Sequence, residues 1–327
     1  MVLLDGDGAV AARRIVERRP IPQHEGASGA VLESAVLDDG SQLVLKTFDP
    51  DRDLSMVLAG RAVPTDVELW QSGILDRLPP QLGHAVRGAW QEDGRWVLAM
   101  HDLSGTLLSY ESRLTREAYR TVIGAAAALH ASSSDIKVDS LWSAEARVSL
   151  FAPRVMSPHE HGENPLPGWC LQGWAAWAEL APADVRALVD RIHADPRILT
   201  RPLRRLGPMA LLHGDFWTPN LALDEGRVVA IDWALATIGP PVLEYVSFLV
   251  GCSGQVEATR DDLVSDLRDL LGPGQEELLQ VGLVFGVVEL GWNLAWQLAH
   301  HPSPQTSAEF DWWVHAARAA ANAGCFD

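Results

Sequence analysis

Two textures divide the chain. In the N-terminal third, "VLESAVL" (31–37) and "QLVLKTF" (42–48) are apolar, strand-length runs on either side of "DDGS". Gly40 supplies the positive φ that such a hairpin turn asks for. Val67, Trp70, Ile74 and Leu78 then recur at helical spacing, and Pro79-Pro80 end that run. "GRWVLAMHDLSG" (94–105) is an apolar strand leading into a polar, glycine-containing segment. Beyond it the pattern turns helical over 115–134, 182–197, 275–300 and 307–323. Those helices surround one isolated strand–loop–hairpin, "LLHGDFWTPNLALDEGRVVAIDW" (211–233). The prediction is an α+β chain of two lobes. Residues 1–102 form a small β-rich N-terminal lobe, with a hinge near 98–104, and 103–327 form a larger, mainly helical C-terminal lobe. A cleft between lobes is a favoured place for a ligand.

Composition narrows the functions on offer. The 327 residues are 47% apolar, enough for a sizeable core, and the net charge is −17. So acidic a chain lacks the basic surface that nucleic acid or an anionic membrane requires. The plain reading of the acid is solubility, and the rival reading is that it helps collect cationic small molecules. Cys170, Cys252 and Cys325 form no CxxC pair and no disulfide framework, which fits a reducing, cytoplasmic setting. The start, "MVLLDGDGAVAARR", lacks the pattern of a secretory signal. Residues 278–299 are long enough to span a bilayer, but Gln280, Glu289, Asn293 and Gln297 interrupt them. They are expected to form a buried helix of a soluble protein.

The isolated hairpin carries the chemistry. "NLAL" (220–223) and "RVVAI" (227–231) are joined by "DEG", with Gly226 available for the left-handed position. Asn220 lies six residues before Gly226 and Asp232 six after it, so folding about that glycine brings an amide oxygen and a carboxylate to one small volume. Oxygen donors of this kind suit Mg²⁺. Asp215, five residues upstream of Asn220, can be turned toward the same point by the "FWTP" loop. Taken singly, each of these residues also serves as an ordinary turn cap.

"HGDFWTPN" followed by "AIDW" resembles the H-x-D-x-x-x-x-N and downstream Asp of the aminoglycoside phosphotransferase and choline kinase superfamily. These are small-molecule kinases with the bilobal protein-kinase-like fold. The resemblance implies that Asp215 is the catalytic Asp facing the acceptor hydroxyl, that Asn220 and Asp232 hold Mg²⁺, and that His213 supports the loop. The family's subsequent Gly-Asp-Pro and further Asp appear here as "GPPVLEY", with Pro240 and Glu244 in the two acidic positions. Gly214 stands in place of the Arg of a protein-kinase loop, and Trp233 in place of the Phe after the metal-binding Asp, so a protein substrate is disfavoured.

The rest of the chain supplies matching parts in order. Lys46 shares a strand face with Val44 and Phe48 and can meet nucleotide phosphates, although alone it would pass for an amphipathic edge lysine. Glu68 is its expected partner. A rival reading makes Thr65-Asp66-Val67-Glu68 a capping box. Gly26, Ser28 and Gly29 in "EGASGAV" offer backbone amides to phosphates. Met100 and Asp102, in "AMHDL", would present backbone groups to the nucleobase. ATP is the expected donor, with GTP not excluded.

The acceptor is less defined. Glu289, Asn293 and Gln297 recur every four residues, beside Trp292 and Trp296, and form either a polar binding stripe or bonds to neighbouring helices. Gly282 and Gly286 are expected to permit close helix packing. "PHEHGEN" (158–164) offers His and Glu without a second ligand pair at metal-binding spacing, and is expected to be a solvated loop. The expectation is transfer of the γ-phosphoryl group of ATP, with Mg²⁺, to a small hydroxylated acceptor. Candidates are an aminoglycoside, sugar, amino sugar or amino alcohol, cationic acceptors included. The rival readings are a catalytically silent kinase-like nucleotide-binding module that acts through partners, and a metal-dependent hydrolase using His213 and Asp215.

Overall fold

In the computed structural model, the described residues are 3–4, 10–11, 14–22, 29–133, 136, 141–224, 226–323 and 326. Five strands form the N-terminal sheet. They are β1 (Ile15–Pro20), β2 (Val31–Leu37), β3 (Gln42–Phe48) and, after the short strand β4 (Leu82–His84), β5 (Val86–Glu92) and β6 (Arg95–His101). Their order is β1-β2-β3-β6-β5, antiparallel throughout. Strand periodicity gives the sheet two apolar faces. Leu43 and Leu45 join Ala35, Leu37, Val97 and Ala99 on one side. Phe48, Leu98 and Met100 join the main core on the other, with Lys46 on that same side of β3 beside Phe48.

Helix α1 (Thr65–Gln71) lies between β3 and β4. Its predicted extension stops short: Gly73 adopts φ 69°, and a single 3₁₀ turn, Leu75–Arg77, follows. The expected hinge at 98–104 begins inside β6.

The C-terminal part is mainly helical, with the predicted hairpin and a few short strands among the helices. Helices α2 (Arg116–Ser132), α3 (Ala144–Val148) and α4 (Leu166–Leu180) precede it. Strand β7 (Ala210–Leu212) leads into the loop and the hairpin of β8 (Leu221–Asp224) and β9 (Arg227–Ala230). Helices α5 (Val242–Cys252), α6 (Glu276–His300) and α7 (Pro304–Asn322) follow. Strand β9 also pairs, in parallel, with β4, so the hairpin is stitched to the segment that ends the α1 region.

Helix α6 is the axis of the core, packed by α4, α5 and α7. It is the one described helix long and apolar enough to cross a membrane, and 83% of its apolar window is buried inside the fold. Each fully buried Val, Leu or Phe contributes roughly 1.5–3 kcal/mol, so these turns outweigh the cost of burying Glu289 among them. Close approach is paid for in glycine. A Cβ on Gly173 of α4 would lie 2.2 Å from the Trp292 carbonyl oxygen, and one on Gly282 would lie 2.5 Å from Val242. Gly286 meets Trp313 at the same 2.5 Å. The packing role expected of Gly282 and Gly286 is thus the observed one.

Candidate active site

The loop between β7 and β8 is ordered by its own polar groups. His213 is fully buried; its Nε2–H donates to the Ile231 carbonyl at 3.0 Å, and its Nδ1 accepts the Asp215 N–H at 3.3 Å. Burial holds its pKa below the ordinary histidine value, which suits this neutral tautomer. The ring also packs against Phe216 and Trp233. Asn220 donates through Nδ2 to both the backbone oxygen and the Oδ2 of Asp215, each at 2.9 Å. Its own Oδ1 stays out of both bonds.

The second strand of the hairpin delivers Asp232. Register pairs Leu221 with Ala230 and Asp224 with Arg227, and the Ile231 N–H donates to the Asn220 carbonyl. Asn220 therefore opposes Ile231. Asp232 lies one residue beyond the position opposite Asn220, because the ladder ends on the pair Asp224–Arg227 and is not symmetric about Gly226. At Asp232 the backbone swings to φ 63°, and the carboxylate meets Lys46 Nζ at 2.8 Å.

Charge is concentrated here. Burial raises the Asp215 carboxyl to about 7, and the neighbouring Asp232 charge adds to the rise. Burial also works against charge on Asp232, but Lys46 more than offsets it and holds that carboxyl below the usual range. Lys46 is 5% exposed; burial opposes its charge, yet Asp232 and then Asp66 keep it above the ordinary ammonium value. Asp66 is raised to about 6, chiefly by burial. Its Oδ1 accepts the Trp233 N–H at 2.8 Å, and its Oδ2 is buried without a partner. Four acidic or amide groups and one ammonium thus surround a small volume at the lobe junction. Hard oxygen donors from Asn220 and Asp232 fit Mg²⁺, and a buried lysine beside them fits a polyphosphate.

Residues 33–278 match the phosphotransferase enzyme family, well over half of the chain. The chain belongs to that family. Its fold is similar to that of the choline kinase LicA from Streptococcus pneumoniae, with 12% identity, a TM-score of 0.52 and 94% of each chain covered. It is also similar to LicA in complex with AMP, with 13% identity and a TM-score of 0.54, over 93% of this chain and 94% of that one. At such identities the likeness is one of fold. No curated protein matches the chain.

Several expectations for this phosphotransferase change in the structure. Lys46 does not pair with Glu68, and no capping box forms: Pro64 is the N-cap of α1, without a side-chain bond. Residues 66 and 68 lie roughly 200° apart around a helix, so only one can face Lys46, and Asp66 does. Glu68 acts on Arg61 instead. Glu289 is committed to an ion pair with Arg147 and accepts from Ser247 Oγ. Trp292 is 6% exposed in the α4–α6 seam, against Phe151 and over Gly173. Neither residue is offered to the cleft, while Asn293 stays half-buried one turn beyond Glu289.

Gly29 is exposed, with φ 88°. Gly26 and Ser28 lie outside the described residues. Met100 is buried, its strand paired to Val44 on one side and Val86 on the other. Asp102 accepts the Ser104 N–H at 2.9 Å. The "PHEHGEN" segment is largely exposed, and no metal-holding cluster of His, Cys, Asp and Glu occurs among the described residues.

Three contributors were missed. Asp66 shows in the sequence only as part of a capping pattern. Arg147, in "SAEARVSLF", carries no local signal. His130 meets Glu244, 114 positions away, at 2.8 Å, and only its place at the close of an apolar run ("AAALHAS") hints at it.

Proposed function

We propose that the protein is an ATP- and Mg²⁺-dependent phosphotransferase that moves the γ-phosphoryl group to a hydroxyl of a small molecule. The observation that carries this reading is the convergence of Asp215, Asn220, Asp232 and Lys46 on one volume. Family membership supports it. Asn220 and Asp232 would hold Mg²⁺, which when bound neutralises phosphate charge. Lys46 orients the α and β phosphates once nucleotide replaces Asp232 as its partner, and Asp66 keeps it charged and placed. Asp215 fixes the acceptor hydroxyl and takes its proton late, because the transition state is loose. Positioning and charge, rather than covalent chemistry, are what the protein provides. LicA, of the same fold, is seen with AMP, which makes ATP the donor to try before GTP.

The acceptor class follows from the reading as a small hydroxylated molecule: sugar, amino sugar, amino alcohol or aminoglycoside. With Glu289 neutralised by Arg147, a cationic acceptor gains nothing from that carboxylate. The test is transfer of labelled γ-phosphate from Mg²⁺-ATP to a panel of these classes, with Asp215→Asn as the blank. Asp215→Asn is expected to lower transfer by about 10³-fold or more while Mg²⁺-ATP binding stays within a few-fold. Wild-type transfer by that variant would refute the assignment.

A further inference from the structure

The peptide that carries Asp215 is gripped from both sides by buried polar groups. On one side the Gly214 N–H donates to Glu244 Oε1 at 2.9 Å, and the other oxygen of Glu244 accepts from His130 Nε2 at 2.8 Å. On the other side the Gly214 carbonyl accepts two bonds from Arg147, from Nη2 at 2.9 Å and Nε at 3.1 Å. Arg147 is ion-paired with Glu289 of α6. Glu289 accepts from Ser247 Oγ at 3.2 Å, and Ser247 accepts from Trp217 Nε1 at 3.0 Å. The network therefore leaves the loop at Gly214 and returns to it at Trp217, with Asp215 between the two anchors.

Gly214 itself has no freedom to be anything else. Its φ is 85°, and a Cβ would lie 1.9 Å from the Leu235 carbonyl oxygen.

Fold stability alone is a poor account of this arrangement. A buried Arg–Glu pair costs desolvation that well-packed apolar residues avoid, and replacing such pairs by apolar ones is often neutral. Arg147 is 4% exposed and Glu289 1%, so both bear that cost in full. What apolar side chains cannot do is hold a carbonyl with a rigid two-donor fork. We infer that Arg147 is a positioning residue, which fixes Asp215 through the Gly214 carbonyl with Glu289 as its counter-ion. The assignment rests on the phosphotransferase reading. It places Glu289 in the support of the loop and not among the acceptor's contacts.

The test compares wild type, Arg147→Lys, Arg147→Met and the double variant Arg147→Met with Glu289→Met, which leaves no buried charge orphaned. Turnover of Mg²⁺-ATP and hydrogen exchange of the 211–217 segment are measured on each. Loss of position by about an ångström costs on the order of 10²-fold in rate. The double variant should therefore lose about 10²-fold in kcat while KM for Mg²⁺-ATP stays within about 3-fold. Arg147→Lys should recover part of the loss. Exchange should quicken in 211–217 and remain slow in α6. Unchanged kcat in an active enzyme, or exchange that quickens equally across the helices, would overturn the inference. Loosening confined to 211–217 in the double variant, with the wild type itself inert toward Mg²⁺-ATP, would uphold the grip on Gly214 and overturn the phosphotransferase reading instead.

Discussion

Asp232 holds φ 63°, in the left-handed region that costs a non-glycine residue about 1–3 kcal/mol. Asp is among the few residues that tolerate it. Here the Lys46 bond and an N–H from Ala234 offset the strain and aim the carboxylate back toward Asp215. The residue types of this corner are legible in the sequence, because Asp215, Asn220 and Asp232 lie within eighteen positions of one another and follow one hairpin. Asp66 is not legible, since periodicity shows that a helix has a buried face without showing which residue of that face meets Lys46. A buried titrating group illustrates the same point away from the site. His193 donates to the Val288 carbonyl and lies edge-on to Trp174. Burial holds its pKa below the ordinary 6.5. The folded chain thus keeps His193 neutral where the unfolded chain takes up a proton, so its contribution is present above pH 6.5 and is lost as pH falls below it. His193→Gln is expected to lose less Tm than wild type between pH 7 and pH 5; equal losses would show that His193 carries none of the acid sensitivity.

At the scale of elements, the register of the hairpin departs from the symmetry its glycine suggests. The ladder ends on Asp224 and Arg227 and does not pivot on Gly226, and a shift of one changes which residue opposes Asn220. The corner still forms because Asp232 lies beyond the last ladder pair and is placed by its own backbone. Among the helices, α4 was hidden. Its "LPGWCLQGWAAWAEL" carries Pro167 near the start and Gly168 and Gly173 within, which weaken any helical reading. Tertiary packing supplies the reason for Gly173, whose missing Cβ lets α4 rest on the backbone of α6. Gly173→Ala would force the two helices apart, and overpacking of backbone against backbone is expected to cost about 3 kcal/mol or more. A urea midpoint equal to that of wild type would contradict the close approach.

Across the whole molecule, the site exists only where the lobes meet. Lys46 comes from the N-terminal sheet, Asp66 from the helix beside it, and Asp215, Asn220 and Asp232 from the C-terminal hairpin, with the β4–β9 pairing holding the two parts in register. Ligand that binds only this assembled state stabilises all of it. At a hundredfold excess over its Kd, Mg²⁺-ATP should add about 2.7 kcal/mol, seen as a rise in Tm that Lys46→Met removes. A wild-type Tm indifferent to Mg²⁺-ATP would count against the nucleotide site.

Local matters were legible in the sequence: the β2–β3 hairpin, helices α2, α6 and α7, the order of the two lobes, and the Asp–Asn–Asp set on one hairpin. Those follow from periodicity, turn chemistry and spacing, which act over a few residues. Only the tertiary structure decided that Asp66 faces Lys46, that Arg147 and Glu289 support the loop from helices far apart in sequence, and that Trp292 is core. These outcomes depend on which faces of distant elements are pressed together, and burial then sets both the partners and the charges of the groups caught between them.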